Sequence, residues 1–164
     1  MNMSRAAGTS GGLAARIPRL ATAAVLAAAL GGTAIPLASV APAHASTTIN
    51  DCTVTPLTPV AYSTSNKTAN FRVRVTCAAG RTIQIQQRAY ALNGQSHQLL
   101  LYRDFVLGFP WAETRTEPKI LTVPNYHPSG REYAHHDVRF TVKKNGIWSK
   151  WTGLEQSPIG SLNW

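Results

Sequence analysis

Between residues 71 and 77 the chain alternates Phe71, Val73, Val75 and Cys77 with Arg72, Arg74 and Thr76. A period of two predicts a strand with one buried and one wet face, because successive side chains of a pleated strand point to opposite sides. The same rhythm runs through 83–91, which opens with Ile83 and Ile85 against Gln84 and Gln86. It returns at 138–142, where Val138, Phe140 and Val142 alternate with Arg139 and Thr141. These runs are short, rich in β-branched residues and bounded by turn chemistry at Ala79-Gly80, Asn93-Gly94, Pro128-Ser129-Gly130 and Asn145-Gly146. Weaker strand patterns lie at 48–54, 59–62, 98–106 and 120–123, and the tail after Thr152, with Pro158 and Gly160, reads as irregular. No sustained helical stripe follows residue 46, and ten prolines in the whole chain would interrupt one. About seven strands at this spacing predict an all-β antiparallel sandwich.

The first 45 residues have a different character. Arg5, Arg16 and Arg19 precede an apolar run at 20–30, and a stretch of small residues ends in Ala43-His44-Ala45. Basic, apolar, then small-x-small is the order read by the secretion machinery, so cleavage is expected after Ala45. The apolar run has 11 residues, where a bilayer crossing takes about 20. The expected product, 46–164, is one domain, and losing three arginines lowers the net charge from +9 to +6. It is expected outside the cell, with no membrane span.

Cys52 and Cys77 are the two cysteines of the chain. In an oxidising compartment they are expected to pair, closing a loop that stabilises the fold by roughly 3 kcal/mol. The bridge would pin the first strand to the second and removes a cysteine nucleophile from consideration.

The strongest turn signal is Asn145-Gly146, since both residues tolerate the positive φ of a type I′ hairpin. It joins Val138-Arg139-Phe140-Thr141-Val142 to Trp148-Ser149-Lys150-Trp151-Thr152. This segment resembles the last hairpin of fibronectin type III and related immunoglobulin-like domains, which carry a Trp-Ser-x-Trp-Ser box; here Thr152 replaces the final serine. The resemblance covers about 20 residues. It implies an immunoglobulin or fibronectin type III-like sandwich and a ladder of indoles interleaved with basic side chains, a role open to Arg139 and Lys143. A flat strand would put Trp148 and Trp151 on opposite faces, with Trp151 toward the core. A polyproline II path, the one the resemblance implies, would put both on one face.

Other groups carry less. His135-His136-Asp137, with His127 nearby, invites a metal or acid–base reading, but consecutive strand residues face opposite ways, so a solvated strand start is expected and no metal site or cofactor. Asp104, Glu113 and Glu117 lie near Arg103, Arg115 and Lys119, which suits surface pairing more than a glycosidase pair. Phe109 and Trp111, around Gly108 and Pro110, are expected on a loop, either as binding aromatics or as a plug.

These features predict a secreted, non-enzymatic binding module. Its contact residues would be Trp148, Trp151, Arg139 and Lys143, or Phe109 and Trp111. The basic balance suits an anionic or carbohydrate polymer of the cell envelope, or another secreted protein, rather than nucleic acid. An inhibitor of secreted proteases, or a hydrolase using His135 and Asp137, are the alternatives.

Overall fold

The computed structural model describes residues 46–164; the expected secretion segment, 1–45, lies outside them. The described residues form strands without helices: β1 (Thr47–Ile49), β2 (Cys52–Pro56), β3 (Val60–Ser63), β4 (Thr68–Asn70), β5 (Val73–Cys77), β6 (Arg81–Asn93) and β7 (Ser96–Phe109). Then come β8 (Glu113–Glu117), β9 (Ile120–Thr122), β10 (Arg131–Lys144), β11 (Ile147–Trp148), β12 (Glu155–Gln156) and β13 (Gly160–Asn163). Among them no helix is long and apolar enough to cross a membrane.

A long sheet has the order β11-β10-β6-β7, with β12 and β13 also paired to β10. Two short sheets have the orders β1-β2-β5-β8 and β3-β4-β9. All pairings are antiparallel. The short sheets run into one another. Leu57 N donates to Arg72 O at 2.9 Å, and Phe71 and Lys119 exchange N–H···O bonds of 2.9 and 3.0 Å. The pairs β2/β3, β5/β4 and β8/β9 therefore lie side by side as three interrupted strands.

The alternating residues build two apolar clusters. Val54, Val73 and Val75 of the first short sheet meet Ile83, Ile85, Val138, Phe140 and Val142 of the long sheet. Farther along the long sheet, Ala89, Ala91 and Ala134 meet Ala69, Phe71, Val123 and Leu162. Cys52 and Cys77 face each other across β2 and β5 and are bonded, Cα to Cα 4.1 Å. The bridge therefore lies within one sheet, at the edge of the first cluster.

Several expectations shift. Residues 48–54 are a hairpin rather than one strand: Asn50 and Asp51 both have positive φ, 48° and 64°, as a type I′ turn requires. The turn is braced outside, where Asp51 takes bonds from Arg81 at 2.7 Å and Lys144 at 3.0 Å. Those two cations hold its carboxyl below the usual range, Arg81 foremost. Residues 113–117, which carry no strand pattern in the sequence, are β8. The irregular tail forms β12 and β13 along β10.

Candidate functional site

β10 presents Val138, Phe140 and Val142 to the core, so Arg139 and Lys143 stand on the outer face of the long sheet. The hairpin closes at Asn145 (φ 52°) and Gly146 (φ 82°) and pairs Lys143 with Trp148. Strand pairing stops after Trp148, and a repeat of three residues takes over. Ser149 N donates to Val142 O and Thr152 N to Phe140 O, each at 2.9 Å. In return Ser149 Oγ accepts from Val142 N and Thr152 Oγ1 from Phe140 N, each at 3.0 Å. The hydroxyls thus replace backbone carbonyls as acceptors where the segment leaves the ladder, which is why a Thr serves in the final box position. The Thr141 hydroxyl ties the arrangement from the side, donating to Ser149 O at 2.7 Å.

With residues 149 and 152 turned to the strand, the indoles at 148 and 151 share the outer face. Lys143 Nζ lies 5.9 Å from the Trp148 ring centre and Arg139 Cζ lies 5.3 Å from that of Trp151. Trp148 is 42% exposed and Trp151 38%. The flat-strand alternative, with Trp151 in the core, is not what forms. Each cation–π contact at such exposure contributes about 0.5–1 kcal/mol.

The ladder continues sideways. Arg139 Nε donates to Gln86 Oε1 at 2.6 Å, and Gln86 and Gln84 both donate to Asp104, at 3.0 Å. Asp104 is thereby occupied by neutral amides rather than by the arginines. Farther along the face Arg88 lies over Tyr102 at 5.7 Å. Tyr102 and Val106 of β7 are exposed. The outer face is therefore a broad strip of aromatic rings and cations, not a cleft.

Phe109 and Trp111 separate. Phe109 ends β7 and is 1% exposed, packed in the first cluster beneath Arg115. It is a core residue, contrary to its expected place on a loop, because the 14 residues of β7 carry it over the core edge. Trp111 does sit in the connection to β8, 63% exposed. Glu113 pairs with Arg115, whose guanidinium pKa is raised chiefly by that bond.

His135 and His136 face opposite sides, as their adjacency dictates, but neither is solvated: they are 2% and 0% exposed. His136 points inward between the two apolar clusters. Its Nε2 lies 2.7 Å from Leu57 O and its Nδ1 2.7 Å from Gln87 Nε2, so Nε2–H donates to Leu57 and Nδ1 accepts. Gln87 Oε1 accepts from Arg103 Nε at 2.6 Å. Burial lowers the His136 pKa to about 4 and lowers that of Arg103. The whole relay is an interior brace in which His136 and Gln87 are paired, as burial demands, while Arg103 Nη2 is buried without a partner. His127 lies apart: its Nδ1 bonds the fully buried Glu132 at 3.0 Å, beside a cleft of about 400 Å³ lined also by Arg131, Tyr133 and Trp164. No group of three or more His, Cys, Asp or Glu among the described residues is arranged around a metal position.

Sequence reasoning passed over His97. It lies in a polar stretch of β7, and only the pairing of β7 with β6 brings it to His135, 3.0 Å between ring nitrogens. No local pattern could have marked it.

No protein-family model matches the chain, and no curated protein matches it either.

Proposed function

We propose that residues 46–164 form an exported, non-enzymatic binding module of fibronectin type III character. Counting each interrupted pair once, three strand positions (β2/β3, β5/β4, β8/β9), with the short β1 at their edge, face the four of the long sheet. That arrangement supports a Greek-key sandwich of the immunoglobulin-like class. The contact surface is the outer face of the long sheet, built on Trp148, Trp151, Arg139 and Lys143, with Trp111 as a second aromatic point. One observation carries this reading: two indoles, each over a third exposed and each stacked by a cation, stand on one face.

The ligand this chemistry suits is an anionic or carbohydrate polymer of the cell envelope. Ring faces stack on apolar sugar faces, and the cations supply long-range attraction that salt screens. A pull-down of the chain on purified wall polymers across a salt series tests it. Binding should weaken with salt and fall at least tenfold in Trp148→Ala. Retention that neither salt nor this substitution alters would end the proposal.

A further inference from the structure

At the end of β10 farthest from the tryptophans, the loop that leads into the strand is clasped from beneath. Glu132 is fully buried, and its carboxylate accepts from Tyr126 N at 2.8 Å, His127 N at 2.9 Å and His127 Nδ1 at 3.0 Å. Burying a carboxylate costs stability unless donors surround it, and here those donors fix the loop. The His127 ring is thereby held edge-on to Tyr133, 6.0 Å between centroids and 88° between planes. Gly130 (φ 70°) closes the turn, and Trp164 N donates to Gly130 O at 2.9 Å. A Cβ on Gly130 would lie 3.0 Å from Trp164 O, so the close approach of the two segments needs the glycine.

Arg131 and Tyr133 alternate with the buried Glu132 and Ala134, so both stand on the outer side of the long sheet. With His127, Ser129, Asn163 and Trp164 they line the cleft of about 400 Å³, within the range of small-molecule sites, about 300–1,000 Å³. Arg131 Nε donates to Asn163 Oδ1 at 3.3 Å, which leaves the terminal guanidinium nitrogens and the Asn163 amide nitrogen to donate elsewhere. The hydroxyls of Ser129 and Tyr133 can donate or accept, and a His127 ring that donates from Nδ1 accepts at Nε2. A second hollow of about 340 Å³ shares the His127 and Tyr133 rings but is otherwise lined by Leu92, Gly94 and Ile159. Its own wall is apolar.

Polar groups on one side of a pair of rings and aliphatic carbon on the other match one class of ligand. A sugar lays an apolar face on a ring and presents hydroxyls that both donate and accept, and an acetamido substituent adds a carbonyl acceptor and a methyl group. We propose that the two adjoining hollows bind an N-acetylhexosamine residue. Its hydroxyls meet Arg131, Asn163 and His127, and its acetamido methyl lies against Leu92 and Ile159. Arg131 and Lys143 stand near opposite ends of β10, separated by about 40 Å of extended strand. A single sugar cannot reach both, so this site stands or falls apart from the tryptophan surface.

The full chain, labelled for NMR, is titrated with N-acetylglucosamine and, separately, with glucose, which lacks the acetamido group. N-acetylglucosamine should move the amide signals of Gly94, Ser129 and Gly130 and the indole N–H signal of Trp164. Glucose should bind about tenfold more weakly, through loss of one hydrogen bond and the methyl contact. Arg131→Gln should weaken N-acetylglucosamine about tenfold, as the loss of a charge-assisted hydrogen bond requires. Arg74→Gln removes the same charge from an exposed position on β5 and should change nothing. Signals outside the cleft report that each variant stays folded. Equal binding of the two sugars, shifts absent or confined to Trp148 and Trp151, or indifference to Arg131→Gln would overturn the assignment.

Discussion

His136 Nε2 donates to the carbonyl of Leu57 at 2.7 Å, joining the long sheet to the opposite layer through the middle of the protein. Its ring also packs edge-on against Phe71, 5.9 Å between centroids. An imidazole so placed serves the fold only while neutral.

Stability should therefore fall with acid in a definite window. The folded pKa of His136 is about 4, below its ordinary 6.5, through burial. The unfolded chain takes up the proton first, so the stabilisation is complete above pH 6.5 and is lost as pH drops toward 4. A gap of this size corresponds to on the order of 3 kcal/mol. Urea unfolding between pH 8 and 4 measures it; His136→Gln should flatten the curve over that window. An equal slope in both proteins would refute the assignment.

The hydroxyls of Ser149 and Thr152 are the acceptors that let the indoles leave the strand together. Ser149→Ala strands the Val142 N–H and should cost about 1–3 kcal/mol. Thr152→Ser keeps the acceptor for Phe140 N and should cost less than 1 kcal/mol by that reasoning. Urea unfolding of both variants checks the ranking, and tryptophan fluorescence should shift in Ser149→Ala alone.

Gly160 pairs with Ala134 where β13 joins β10. A Cβ there would lie 2.2 Å from the Pro59 carbonyl oxygen, whereas one on Gly153 would meet nothing within 4 Å. Gly160→Ala should destabilise by about 1–3 kcal/mol or detach β13, while Gly153→Ala should be near neutral. Thermal unfolding with amide exchange of residues 160–163 separates the two outcomes.

The strands legible in the sequence were those with one apolar face. Val73 to Cys77 and Val138 to Val142 read correctly because the core demands every second residue. β8 escaped because its sheltered face carries Glu113, Arg115 and Glu117, so tertiary pairing, not hydrophobicity, makes it a strand. The first hairpin escaped for another reason: threonines on both sides of Asn50-Asp51 continue the strand composition through the turn, although both turn residues accept positive φ. The tryptophan–cation pairs were legible because they are close in sequence and one turn sets their register. His97 with His135, and Arg103 with Gln87 and His136, depend on which strands become neighbours, and no spacing along the chain encodes that.

The bond between Cys52 and Cys77 sits only a few residues into the described chain. A tug applied upstream can peel β1 and its Asn50-Asp51 corner, and there it stops. Beyond that point the load passes through sulfur into β5, which is flanked by β2 and β8. The outermost ribbon can fray while the remainder of the sheet stays clamped, so the domain tolerates being tethered by its leading end.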